Sequence, residues 1–261
     1  MPELPEVEMF RRYFDETSLE QQIQDVRINH PKVAGGQEQN LTALVSDYFS
    51  KSRRWGKNLF IQTRKGKTVF MHFGMTGYLE YYNSSLEAPK YARVVFIFNN
   101  GFSLAYVSKR MFGRIGTVSD IDHYVSDKLL AEDALVISKD QFTRTLAGKK
   151  KNIKTALLDQ SVAAGVGNWI ADEILYHARI YPTSLTGNLT SSQMNTIYEK
   201  MREIMQVAIE VEAVREDLPL HYITRYGRKT SITCPNCKNT IDRSEVAGRG
   251  TYACENCQVI Y

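Results

Sequence analysis

Apolar residues recur along this chain with two different periods, and the change of period divides it. Over the first half, short apolar runs are punctuated by turn residues; over the second, apolar positions fall three and four apart. The first pattern marks strands and the second helices. Near the start, Val7, Phe10 and Phe14 share one helical face, and Pro5 suits a first helical turn. Residues 22–29 read as a strand, and residues 41–49 have room for a short helical turn. Residues 49–53 and 59–63 read as a hairpin with Lys57 near its tip, and residues 68–73 continue the meander. Residues 94–98 and 102–107 flank Asn99-Asn100-Gly101, which contains the Asn-Gly hairpin signal. The first half is therefore expected to be a β-sandwich or barrel with one or two helices.

The second half reads as helical. Ser138-Lys139-Asp140-Gln141 has the form of a capping box, with Phe142 and Leu146 inward and Gly148 ending the helix. Residues 152–160 and 169–178 read as two further helices. Thr190-Ser191-Ser192-Gln193 repeats the capping signal ahead of Met194, Ile197, Met201, Ile204, Met205 and Ala208, a stripe that reads as core. A compact last segment begins near His221. The fold class is expected to be α+β, with a boundary between residues 124 and 137.

Composition adds limits. With 261 residues and 43% hydrophobic content, the chain buries a sizeable core and is expected to form two domains. No apolar run approaches the ~20 residues of a membrane span, and the first residues are too acidic for a signal peptide. A soluble, intracellular, monomeric protein with no membrane partner is expected. The formal charge of +4 is modest, so its distribution matters more. Lys51, Arg53, Arg54, Lys57, Arg64, Lys65 and Lys67 fall in a stretch without an acidic residue, and Lys149-Lys150-Lys151-Asn152-Ile153-Lys154 forms a second block. Such runs are commonly solvated faces. Two blocks together favour a polyanionic partner, because neutralising phosphates releases counterions.

The first residues, Met1-Pro2-Glu3-Leu4-Pro5-Glu6, carry candidate chemistry. Removal of Met1 would leave Pro2 as a secondary amine. An amine attacks a sugar aldehyde carbon only when neutral. At pH 7.5 a lysine is about 0.1% neutral and an α-amino group roughly a quarter, a gain of roughly two hundredfold. A secondary amine condensed with a sugar C1′ gives an iminium that is cationic at any pH and permits β-elimination. Glu3 could donate and accept protons. Glu6 reads first as a helix-capping residue and second as a site-orienting one.

All four cysteines lie near the end, as Cys234-x-x-Cys237 and Cys254-x-x-Cys257 with sixteen residues between the pairs. This is the spacing of a Cys₄ zinc ribbon. Disulfides and a rubredoxin-like iron site are the alternatives. Four thiolates fill a tetrahedron and leave no open position, so one structural Zn²⁺ is expected. Between the pairs, Gly248-Arg249-Gly250-Thr251 is expected to form a β-turn from which Arg249 projects toward phosphate.

These elements resemble one family in order. Pro2-Glu3-Leu4-Pro5-Glu6-Val7-Glu8, His72-Phe73-Gly74-Met75-Thr76-Gly77, Leu157-Leu158-Asp159-Gln160, Gly165-Val166-Gly167-Asn168, Ala171-Asp172-Glu173 and the terminal ribbon are similar to formamidopyrimidine-DNA glycosylase, whose architecture is shared with endonuclease VIII. The resemblance implies an N-terminal catalytic β-sandwich domain over residues 1–133, a helix-two-turn-helix domain over 134–220 and the zinc ribbon over 221–261. It implies a bifunctional DNA glycosylase and abasic-site lyase of base excision repair. Its partner would be double-stranded damaged DNA with the lesion nucleotide flipped out, in the cytoplasm or nucleoid. Pro2 would be the nucleophile, Glu3 the proton shuttle, Glu6 a support, and Lys57 a phosphate contact assisting catalysis. Met75, Arg110 and Phe112 match the residues inserted where the base is flipped out; pattern alone would make Met75 and Phe112 core. Lys154, Gly167 and Asn168 match the phosphate-gripping helical element, and Arg249 the ribbon's phosphate-binding arginine.

The chain departs from the family in two places. Ser108-Lys109-Arg110-Met111-Phe112-Gly113 has serine where the family commonly has aspartate. Residues 212–228 are too short and too poor in glycine for the loop that caps flipped 8-oxoguanine. With Gly167-Asn168-Trp169-Ile170-Ala171-Asp172-Glu173, they resemble the plant and fungal branch, although that branch lacks the cysteine pairs. Formamidopyrimidines, hydantoins and abasic sites are the expected substrates, and strong 8-oxoguanine activity is not. An endonuclease VIII-like preference for oxidised pyrimidines is the alternative within the class; a non-catalytic damage-binding protein is the alternative outside it.

Overall fold

In the computed structural model, which describes residues 1–227 and 229–261, the chain divides into two compact units. One comprises residues 1–2 and 6–128, the other residues 3–5 and 129–261.

The first unit is built on two antiparallel four-stranded sheets. One has β1 (Ile23–Ile28), β6 (Ala92–Phe98), β7 (Phe102–Val107) and β5 (Tyr78–Asn83) in that order; the other has β2 (Phe49–Trp55), β3 (Asn58–Thr63), β4 (Thr68–His72) and β8 (Arg114–Val118). Helix α1 (Leu4–Ser18) buries Val7 and Phe14 completely among strand residues, with Phe10 against the edge of the same core. Burial of a side chain of that size stabilises by about 1.5–3 kcal/mol. The expected helical turn lies earlier than its sequence placement, as α2 (Glu38–Thr42), with Leu41 as its buried anchor. Strands β5 and β8 and a short helix α3 (Ile121–Asp127) complete the unit. The periodicity does not announce them: β8 carries Gly116 in its middle, and most of β5 is half-exposed.

The second unit contains α4 (Lys139–Ala147), α5 (Ile153–Leu158), α6 (Asn168–His177) and α7 (Ser191–Glu210). Ser138 caps α4 by accepting from Gln141 N, and Asn152 caps α5 through Thr155 N. Thr190 and Gln193 form the full reciprocal capping box on α7. The Met-rich stripe of α7 is core, with Met201, Ile204, Met205 and Ala208 fully buried. A three-stranded antiparallel sheet follows, from β9 (Ser231–Thr233), β10 (Thr240–Val246) and β11 (Arg249–Tyr252), and its small core of Ile232, Ile241, Tyr252 and Cys254 closes on Tyr176 of α6. The turn between β10 and β11 is Ala247-Gly248, both at positive φ, so Arg249 opens β11 and does not sit at the tip.

Candidate active site and nucleic-acid interface

In the second unit, the start of the chain is docked on the N-terminus of α6. Glu3 is 3% exposed, and its two carboxylate oxygens accept from Trp169 N at 3.0 Å and Ile170 N at 3.2 Å. Those amides are among the first of a helix, where partial positive charge favours a carboxylate. Leu4 N donates to Gly165 O at 3.2 Å, and the Leu4 side chain is fully buried. The glycines of Gly165-Val166-Gly167 make the room. A Cβ on Gly167 would lie 2.0 Å from Glu3 Cδ, and one on Gly165 would lie 2.5 Å from Leu4 Cδ1. A terminus that in most proteins frays is here held by a buried charge and a buried leucine. Pro2, the preceding residue, is half-buried.

In the first unit, α1 is tied to the β2–β3 turn. Glu8 binds Arg11 and, at 3.2 Å, Arg54 Nε, and Arg54 Nη1 donates to Gly56 O at 3.1 Å in that turn. Burial alone would raise the Glu8 carboxyl, but the Arg11 and Arg54 guanidiniums outweigh it and hold it below the ordinary range. The turn it braces carries Lys57, which is buried and does not extend from the hairpin. His72 lies opposite Asn58 in the register and opposite Arg114 on the other side. Burial, with the positive charges of Lys57 and Arg114, lowers its pKa to about 4, so the imidazole is neutral at physiological pH. Glu6 lies in the first turn of α1.

The structure places Met75, Arg110 and Phe112 on two loops stacked backbone to backbone. Gly74, at φ +62°, has Gly113 N and Phe112 C where a Cβ would come, at 2.5 Å each. That contact presents Met75 (40% exposed) and Phe112 (55% exposed) on the surface, where their apolar character alone would not put them. Arg110 lies over the Phe112 ring at 5.1 Å. Ser108, in the aspartate's place, is buried, and its carbonyl accepts from Arg93 Nε at 2.9 Å.

Two expectations change in the second unit. Lys154 is fully buried, ion-paired with Asp172 Oδ1 at 2.7 Å and bonded to Gly250 O at 3.1 Å and Thr251 Oγ1 at 2.7 Å. A side chain with no solvent exposure does not grip phosphate directly; it is a strut between α5, α6 and β11. Gly167 makes room for Glu3, and the Trp169 and Ile170 amides serve that carboxylate and not an external anion. Asn168 Nδ2 also donates to Gly250 O, at 2.9 Å, so the carbonyl next to exposed Arg249 is clamped by two donors. The second basic block is likewise mostly compensated, since Lys149 and Lys151 share Asp159 at 3.0 and 3.7 Å.

The stretch after α7 is packed down. Leu218, Tyr222 and Ile223 are buried, and fully buried Glu173 accepts from Ile223 N at 3.0 Å and Thr224 N at 2.9 Å. Arg228, the last residue of the stretch compared with the capping loop, lies outside the described residues. Beyond it, the four cysteines are free, and their sulfurs all lie within 4.8 Å of one another. Cys234 and Cys257 are 3.8 Å apart, Cys237 and Cys254 3.5 Å. Tetrahedral metal–sulfur bonds of ~2.3 Å require sulfurs about 3.8 Å apart, so the cluster is capable of coordinating a metal ion. Tyr176 Oη and Asn236 Nδ2 lie 3.2 and 3.3 Å from cluster sulfurs, in the manner of outer-shell donors.

Glu8, His72, Asp172 and Glu173 hold these sites together, and sequence reasoning gave them no role. His72, Asp172 and Glu173 stand inside motifs that were recognised, but their partners are far along the chain. Glu8 likewise closes the first motif, and its partner Arg54 lies 46 residues along the chain.

Known proteins match this arrangement. Residues 1–115 match the formamidopyrimidine-DNA glycosylase N-terminal domain, residues 130–217 its H2TH domain, and residues 231–259 the zinc finger found in FPG and IleRS. The formamidopyrimidine-DNA glycosylase of Ligilactobacillus salivarius is 32% identical over 275 residues, covering 100% of this chain and 99% of its own. That of Arabidopsis thaliana is 30% identical over 279 residues, covering 100% of this chain and 72% of its own. Among solved structures, Lactococcus lactis formamidopyrimidine-DNA glycosylase bound to DNA containing an abasic site superposes with a TM-score of 0.90 at 27% identity, over 98% of this chain and 99% of that one. The same enzyme with formamidopyrimidine-dG DNA gives 0.86 at 25% identity, over 98% and 99%.

Proposed function

The chain belongs to the formamidopyrimidine-DNA glycosylase family, and from that premise we propose how its residues divide the work. It is a bifunctional DNA glycosylase and abasic-site lyase that acts on oxidised purines in double-stranded DNA. Once Met1 is removed, the Pro2 nitrogen adds its lone pair to C1′ of the flipped nucleotide. The bond from C1′ to the base breaks, and the base leaves with that electron pair and a proton. The Pro2 nitrogen then uses its lone pair to open the C1′–O4′ bond, O4′ taking that electron pair and a proton; the resulting iminium draws electrons from the C2′–H bond, and elimination expels the 3′ and then the 5′ phosphate. Glu3 moves the protons at the sugar. The observation that carries this reading is the docking of Glu3 on α6, which fixes a carboxylate one residue from the amine. Arg249 neutralises a phosphate beside the lesion and Lys57 adds positive charge from its buried place in the β2–β3 turn, while Met75, Arg110 and Phe112 fill the space the base vacates.

We assign Zn²⁺ to the four thiolates as a structural ion. About one equivalent of zinc is expected by metal analysis. Chelation or Cys237→Ser is expected to unfold the ribbon and weaken duplex binding at least tenfold, with most of the α4–α7 helical circular dichroism retained. A zinc-free protein with full affinity would refute the assignment.

For lesion choice, the folded-down stretch after α7 supports formamidopyrimidines, hydantoins and abasic sites over 8-oxoguanine. A loop that closes on a flipped base comes from the low-stability end of a structure, whereas this stretch buries three side chains and bonds a buried carboxylate. Side-by-side incision of duplexes containing formamidopyrimidine, 8-oxoguanine and thymine glycol tests the assignment. The formamidopyrimidine duplex is expected to be cut at least tenfold faster than the other two; fastest cutting of thymine glycol would instead indicate an oxidised-pyrimidine enzyme.

A further inference from the structure

The motif Leu157-Leu158-Asp159-Gln160 ends in a residue to which the repair reading gives no part. Gln160 stands just past α5, at the head of the loop whose far end receives Leu4 and Glu3. Both ends of its side-chain amide are bonded inside that loop. Oε1 accepts from Gly165 N at 3.0 Å, and Nε2 donates to Val166 O at 2.9 Å and to Leu158 O at 3.0 Å. The Gln160 carbonyl accepts from Ala131 N at 2.9 Å. Ala164, farther along the loop, exchanges bonds with the same segment, its N donating to Glu132 O at 3.0 Å and its O accepting from Ala134 N at 2.9 Å.

A loop built on glycine needs such fastening, because glycine loses more conformational freedom on ordering than any other residue. Gly165 sits at φ +119°, and its carbonyl accepts from Leu4 N at 3.2 Å. The fit beyond it is close: a Cβ on Gly165 would lie 2.5 Å from Leu4, and one on Gly167 2.0 Å from Glu3. A small shift of this backbone therefore moves the Glu3 carboxylate or strips it of the Trp169 and Ile170 amides. Gln160 holds that backbone at both Gly165 and Val166.

We propose that Gln160 is a positioning residue for Glu3, acting through the backbone of Gly165, Val166 and Gly167, and that it serves base excision more than strand nicking. The proposal rests on the repair reading above. Excision needs protons at the departing base and at O4′, the transfers given to Glu3. An abasic sugar has no base to expel and opens to its aldehyde unaided. Displacement of the carboxylate therefore costs the first reaction more than the second.

Single-turnover rates of full-length protein on a formamidopyrimidine duplex and on an abasic duplex test this, with equilibrium binding alongside. Gln160→Glu keeps the shape and the acceptor for Gly165 N but sets a carboxylate against two carbonyls. Gln160→Met keeps the length and loses all three bonds without adding charge. In each variant excision is expected to fall roughly 10- to 100-fold, with abasic nicking and duplex affinity within about threefold of wild type, since ~1 Å at a reacting group costs on the order of 100-fold. Added to Gly167→Ala, which already displaces Glu3, either change should lower excision by less than about threefold more, because residues acting through one element do not add. Equal losses in both reactions, unchanged excision in both variants, or full additivity with Gly167→Ala overturns the positioning role. A wild-type chain that cuts neither duplex overturns the repair reading instead.

Discussion

Gly167→Ala is expected to lower incision of lesion duplex by roughly 100-fold or more while leaving the protein folded. The added Cβ would lie 2.0 Å from Glu3 Cδ and 2.4 Å from Cγ and Oε1, far inside the ~3.5 Å at which carbon atoms meet. Glu3 has to leave, and the Trp169 and Ile170 amides lose their acceptor. The stability lost is that of a helix cap, about 0.5–2 kcal/mol. The catalytic loss is larger, because a displacement of ~1 Å in a reacting group costs on the order of 100-fold. Gly187→Ala is the control, since a Cβ there meets nothing within 4 Å. Steady-state incision with thermal melting of both variants checks the expectation. A Gly167→Ala protein that cuts at more than half the wild-type rate would remove Glu3 docking from the account.

Retention of Met1 is expected to have the larger effect, a loss of nicking of roughly 10⁴-fold or more, the scale on which removal of a covalent nucleophile acts. Acylation turns the Pro2 nitrogen into an amide with no basic lone pair. Glu3, Leu4 and their partners on the second unit are untouched by the change, so melting temperature and duplex affinity should move little. Loss of both activity and affinity would mean that the terminus binds DNA and does no chemistry. Single-turnover incision of an abasic duplex beside equilibrium binding separates these outcomes.

Much of this was legible before any coordinates because it rests on local rules. Capping boxes marked the starts of α4 and α7, and short apolar runs with turn residues between them marked the hairpins. Cysteine spacing marked the metal cluster, since two tight pairs have few other uses. Surface exposure was not legible. Met75 and Phe112 look like core by composition, and only the backbone stacking at Gly74 and Gly113 shows why they are outside. Lys154 erred in the other direction: inside a lysine run it looks solvated, yet Asp172 and the Gly250 carbonyl draw it into the interior. Glycine was the least transparent residue. Gly167 suggested a phosphate-gripping turn, whereas the space it leaves is filled by a carboxylate from the other end of the sequence. In each case the deciding partner is distant in the chain, and periodicity carries no record of it.

The central claim is that the Pro2 amine forms the covalent bond to the sugar. Borohydride reduction during turnover of an abasic duplex, followed by proteolysis and mass spectrometry of the adduct, tests it most directly. The account predicts one adduct on the N-terminal peptide, attached at Pro2 in protein lacking Met1 and absent when Met1 is retained. An adduct that maps to Lys57 or another lysine, or that persists with Met1 in place, would contradict it.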